Sequence, residues 1–221
     1  METLDIISVY SILIPFILGL LFLKKLSRDS VIIWGVAAAG IIPQMLRPVL
    51  DKTIYLNVAY NLYVGIEFAL VTVLLSNKFL AGRTKKLFHL SIFGYFFAGI
   101  TIIFVNGLKE RFLNELICLN SFLYAAWILM LMIEQFDDRT VRIEILPSSS
   151  FTWFLTAMFI YALGTIMIFA FWNFVKEGPE KLSGLLTGIH AVFNIILYLL
   201  MSIGLVIDIL GKSRIAAKAT Q

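Results

Sequence analysis

The chain has 221 residues, of which 60% are hydrophobic and only 14% charged, and its mean hydropathy is +0.93. A soluble domain carries about 45–50% apolar and about 25% charged residues, so the composition excludes an ordinary soluble domain and leaves little mass outside a bilayer. The net charge of +4 lies mostly in links between apolar segments, which argues for membrane topology and against a nucleic-acid partner; the lone Cys118 excludes an intrachain disulfide framework, and no paired Cys or His motif suggests a metal site.

The first apolar segment, Ile6–Leu23, follows a stretch with two acids, Glu2 and Asp5, and no Lys or Arg. A secretory signal needs a basic start and a small-residue cleavage site, so a retained first helix is expected, kinked at Pro15 or relieved there by neighbours. Six further segments are expected at Val31–Leu50, Ile54–Ser76, Leu87–Asn106, Leu113–Glu134, Phe151–Val175 and Ser183–Leu210. The second is interrupted by Gly35, Gly40, Pro43, Gln44 and Arg47, but Ala37–Gly40 is a run of small residues that lets a neighbouring helix approach closely. The longest link, Gln135–Ser150, contains Pro147 and a serine run able to end one helix and cap the next. There is no strand pattern and no convincing repeat. The expectation is an all-α polytopic membrane protein, one seven-helix domain over residues 1–221.

The third segment has a carboxylate, Glu67, near its middle. Leu, Ile, Val and Phe supply twelve residues between Ile54 and Ser76. At roughly −0.3 to −0.6 kcal/mol each, they outweigh the roughly +2.5 to +3.5 kcal/mol that one central acid costs. The helix inserts, but the acid should not face lipid. Tyr60, Tyr63 and Glu67 fall at spacings of three and four and share one helical face.

Orientation follows from the basic residues. Lys24, Lys25, Arg28, Lys78, Arg83, Lys85, Lys86, Arg139, Arg142, Lys212, Arg214 and Lys218 sit in the odd-numbered links and the tail; Arg47, Lys52, Lys109, Arg111, Lys176 and Lys181 sit in or beside the others. This twelve-to-six bias places the C-terminus in the cytoplasm, and an odd number of spans then places the N-terminus outside. The third, fifth and seventh helices therefore run inward. Tyr60, Asn120 and His190 come to similar depths in the outer half, with Glu67 and Asn194 lower, and His190, Asn194 and Tyr198 share a face at spacings of four. The pattern points to a polar pocket opening outward, lined by Tyr60, Tyr63, Glu67, Asn120, His190 and Asn194. Asn, Tyr and His in membrane helices also serve simply as interhelical hydrogen-bonding groups, worth about 0.6 kcal/mol on average, whereas an intramembrane acid is a functional candidate by default.

Other signals are weaker. Asp137-Asp138-Arg139 reads as a solvated mixed-charge link, the seventh helix has no lysine to carry a retinal Schiff base, and Pro43-Gln44 has no second copy of the kind that PQ-loop transporters carry. The run Asn61-Leu62-Tyr63-Val64-Gly65-Ile66-Glu67-Phe68 resembles the Tyr-x-x-x-Glu-Phe signature of a poorly characterised family of short seven-helix bacterial membrane proteins commonly encoded near sensor histidine kinases. Phe151-Thr152-Trp153-Phe154 through Tyr161-Ala162-Leu163-Gly164, and Ile189-His190-Ala191-Val192-Phe193-Asn194, resemble that family's sixth and seventh helices, without the proline that precedes Phe-Trp in the pattern. The resemblance implies a sensory or signalling role in the bacterial inner membrane.

Three functional classes remain open on the sequence. One is a receptor-like sensor whose outer cavity binds a small or lipid-like ligand and whose basic inner surface meets a cytoplasmic signalling protein. Another is a channel or transporter, as a single chain or a homo-oligomer, with Glu67 in its path, although repeats and half-helices are lacking. The third is an intramembrane lipid-modifying enzyme, for which no nucleophile, base and oxyanion site can be assembled. No catalytic residue, metal ligand or cofactor is assigned.

Overall fold

The computed structural model describes residues 2–50, 54–79, 82–109, 113–137, 149–176 and 180–219. Among them there is no strand, as a chain built to satisfy its backbone hydrogen bonds inside hydrocarbon requires unless it closes a barrel. The helices are α1 (Glu2–Ser11), α2 (Leu13–Phe22), α3 (Arg28–Leu50), α4 (Ile54–Ser76), α5 (Arg83–Asn106), α6 (Asn114–Asp137), α7 (Ser150–Lys176) and α8 (Glu180–Ala219). Seven stretches are long and apolar enough to cross a membrane: Thr3–Lys25, Arg28–Leu46, Tyr55–Ser76, Arg83–Asn106, Asn114–Glu134, Ser150–Phe169 and Gly184–Gly211. Among the described residues the fold is thus all-helical, with seven spans suited to a multi-pass membrane protein and boundaries close to those read from hydropathy. Asp138, Arg139 and Pro147 lie outside the described residues.

Local chemistry explains where the helices break. α1 and α2 are halves of one span interrupted at Ile12, close to Pro15, whose missing N–H leaves the Ser11 carbonyl without its helical donor. The second span behaves differently from its composition: α3 runs unbroken through Pro43, which is buried against its neighbours. Ser27 caps α3 by accepting the Ser30 N–H at 3.3 Å, and Gly107, at φ +73°, ends α5. The last helix exceeds its expected end and continues to Ala219, because Lys212–Ala219 contains no Gly or Pro and three alanines.

The contacts close into a circuit. α2 packs on α3, α3 on α4, α4 on α6, α6 on α7, α7 on α8, and α8 returns to α1 and α2, while α5 leans on the outside against α6. At one end of the bundle the interior is solid. Phe68 of α4 stacks on Tyr95 of α5 at 3.6 Å between ring centroids, and Trp127 of α6 packs edge-on to Phe88 at 4.7 Å. Trp127, Tyr124, Phe88 and Phe154 are all fully buried there.

Small residues set the closest approaches, since van der Waals packing drives helix association where lipid tails are as apolar as leucine. Gly40 of the expected small run faces Ile12 and Tyr63, and Ala37 is fully buried. Gly19 is tighter: a Cβ there would stand 1.9 Å from Trp34 Cδ1. The indole cannot easily retreat, because its Nε1 donates to the Phe16 carbonyl at 3.0 Å and its ring stacks on Phe16. Gly19→Ala is therefore expected to destabilise the protein by about 1–3 kcal/mol, as overpacking does. Combination with Trp34→Leu should recover most of that loss, and denaturant unfolding of the two single variants and the double in detergent measures the coupling.

Candidate functional site

Because successive spans alternate in direction, the N-terminal ends of α1, α4, α6 and α8 meet the C-terminal ends of α3 and α7 at one end of the bundle. A cavity of about 500 Å³ lies there. α4 contributes Tyr60, Tyr63 and Glu67, α6 contributes Asn120, and α8 contributes His190 and Asn194. All six residues singled out from the sequence line this one space, and α4 and α8 face each other across it.

The polar partners show what each lining residue does besides lining. The Tyr63 phenol hydrogen-bonds with the Glu67 carboxyl one turn later and with the Tyr198 hydroxyl, which joins the α4 and α8 faces. Tyr60 Oη donates to Gln44 Oε1 of α3 at 3.4 Å. Asn120 Nδ2 donates to the Val64 carbonyl at 3.2 Å and so also ties α6 to α4. The His190 ring packs between Tyr161, 6.0 Å away, and Phe169, which it meets edge-on at 5.2 Å. Glu67 sits at the floor. Its chain neighbour Phe68 belongs to the solid aromatic end, so the change from hollow to filled occurs within one residue.

Several lining residues escaped the sequence reading. Asp5, which precedes the first apolar segment, and Ser8 within it form a wall, and Asp5 lies within electrostatic reach of His190. Gln44, an interruption of its helix and half of the isolated Pro43-Gln44 pair in the sequence, also lines the cavity. Asn114, Ser121, Tyr161 and Thr187 complete the polar lining. The available signal was helical phase: Asp5 and Ser8 are one turn apart, and Asn114, Ile117 and Ser121 follow one another at three and four. Conversely, Asn57 and Asn61 serve as a staple. Asn61 donates from Nδ2 to the Leu108 carbonyl at 2.9 Å and accepts the Leu113 N–H at 3.0 Å, while Asn57 donates to the Lys109 carbonyl at 3.3 Å, so α4 clamps both sides of the α5–α6 turn.

Three lining atoms, Asn114 Oδ1, Asn120 Oδ1 and His190 Nδ1, are buried without a hydrogen-bond partner among the described residues. Such atoms normally find one. A second concavity, a groove of about 530 Å³, runs between α5, α6 and α7 on the outer side of the bundle and includes Glu115 and Cys118. Among the described residues no group of His, Cys, Asp and Glu side chains could hold a metal ion. No protein-family model, no curated protein and no solved structure matches this chain.

The staple and the cavity separate by mutation. Asn61→Leu strands a backbone N–H and a carbonyl beside a side chain that is 4% exposed, and each stranded group costs about 1–3 kcal/mol. A marked fall in the thermal unfolding midpoint is expected for Asn61→Leu, and a much smaller one for Asn194→Leu.

Proposed function

We propose that this protein is a receptor-like sensor of the bacterial inner membrane that binds a small or lipid-like molecule in the cavity bounded by Tyr60, Tyr63, Glu67, Asn120, His190 and Asn194. The observation that carries this reading is that polar side chains from six of the seven spans converge on one hollow and leave acceptors unused there. Were these residues only interhelical glue, they would consume one another's hydrogen bonds, as Asn61 does at the α5–α6 turn. The sensory role implied by the family resemblance agrees with this reading.

The twelve-to-six distribution of Lys and Arg supports an external N-terminus, which sets the cavity in the outer half and Lys78, Arg83, Lys85 and Lys86 at the cytoplasmic face. A signalling protein with an acidic surface is the partner suited to that face. A channel within a single chain has less support: a permeation path past Glu67 has to cross the packed rings of Phe68, Tyr95, Tyr124 and Trp127.

Two measurements test the reading. Native mass spectrometry of the protein released from its own membranes in mild detergent is expected to show a non-covalent adduct that is lost in Glu67→Gln and Asn194→Leu; absence of any adduct, together with ohmic conductance in planar bilayers, supports the channel instead. For orientation, a cysteine at Ala216 in a Cys118→Ser background is expected to react with a membrane-impermeant maleimide only after the cells are opened. Labelling in intact cells reverses the topology.

A further inference from the structure

The cavity and the outer groove are separate hollows with a common partition. Asn114 of α6 and Phe169 of α7 line both. Phe169 touches His190 on the cavity side, and on the groove side it stands with Ile166, Ala98, Ile102, Leu119 and Phe122. The groove is apolar along these five residues and opens at the depth of the apolar spans α5 and α6, where Phe122 is 61% exposed, so it faces acyl chains. Polar groups gather at the partition and beyond it. The arrangement matches that of an amphiphile: a polar-walled compartment set side by side with an apolar one.

The lining selects the headgroup. Two carboxyl groups, Asp5 and Glu67, line the cavity, Glu115 lines the groove, and neither wall contains a Lys or Arg among the described residues. An anionic headgroup in this space finds no Lys or Arg among the described residues to compensate it, and an uncompensated buried charge is costly. The unpartnered lining atoms include two amide oxygens, Asn114 Oδ1 and Asn120 Oδ1, which only accept. An ammonium group is their complement, with up to three donors and no acceptor. The phenol rings of Tyr60, Tyr63, Tyr161 and Tyr198 around the same space add faces attractive to a cation.

From this we infer that the protein takes a cationic amphiphile laterally from the bilayer, its ammonium headgroup entering the cavity by parting Asn114 and Phe169 while its alkyl tail stays in the groove between α5, α6 and α7. The inference rests on the cavity being a ligand site, as proposed above, and adds the class of ligand and its route.

The test uses full-length protein in phosphatidylcholine vesicles and a dodecylamine carrying a diazirine at mid-chain. Photolysis is expected to label α5 or α6 within the groove, and unlabelled dodecylamine should compete while dodecyl phosphate, which also enters the bilayer, should not. Ile102→Trp and, independently, Ala98→Leu fill the groove from its lipid side. Each is expected to raise the dodecylamine concentration needed for half-competition about ten-fold, because a tail seated in the filled groove is overpacked and a decade of affinity is only about 1.4 kcal/mol. Equal competition by the phosphate overturns the headgroup class. Competition by butylamine as strong as by dodecylamine, unchanged in both filled variants, overturns the groove and leaves the cavity as a site reached from water. If no saturable labelling occurs, the inference fails, and the adduct lost in Glu67→Gln decides separately whether the cavity binds anything.

Discussion

Hydrocarbon offers no hydrogen bonds, and every polar atom carried into it must find its partner within the protein. That constraint organises the whole molecule. The spans are apolar enough to insert, and each admits only a few polar residues at helical spacing. Those residues have nowhere to go but inward, so the bundle sorts its helices by where their polar faces can meet. Asn61 shows the constraint satisfied in full, since both ends of its amide are used by the turn it clamps. Asn120 shows it satisfied by half: its amide nitrogen bonds to Val64 and its oxygen to nothing among the described residues.

The two ends of the bundle answer this constraint differently. Around Phe68, Tyr95, Tyr124 and Trp127 large rings fill the interior, whereas from Glu67 toward the N-terminal end of α4 the bundle surrounds about 500 Å³ of polar-walled space. Leaving such a volume open forfeits dispersion contacts that a filled core would make. Beyond the packed rings a polar network joins the ends of four spans. Asp208 of α8 accepts the Ser27 N–H at 2.6 Å, Ser30 donates to Ser150 Oγ at 2.9 Å, and Asp29 forms an ion pair with Lys78, whose ammonium also lies over the Phe151 ring. These contacts link α8, α3, α7 and the turn after α4. The pair is part-exposed, so its share of stability is small, and with Phe151 it joins the ends of α3 and α7 to the turn after α4. The cavity walls on α8, α3, α4 and α7 are therefore the far ends of helices that are tied together here.

Much of this was legible in the sequence for a simple reason. In a membrane protein the solvent is uniform and apolar, so hydropathy alone fixes the number and approximate limits of the spans, and the spacing of rare polar residues fixes which face turns inward. Tyr60, Tyr63 and Glu67 could be assigned to one face, and His190 and Asn194 to another, because 3.6 residues per turn leaves no choice. What helical phase does not encode is which helices become neighbours. That depends on where small residues permit close approach, as Gly19 does under Trp34, and on which rings stack, as Phe68 does on Tyr95. Only the packed bundle brought Asp5 and Gln44 to the wall of the cavity, drew Asn57 and Asn61 away from it into a turn, and set an apolar groove against it with Asn114 and Phe169 between. The sequence determined which residues must avoid lipid, because that is a property of each helix alone; which of them share a cavity is a property of pairs of helices, and pairs exist only once the helices have packed.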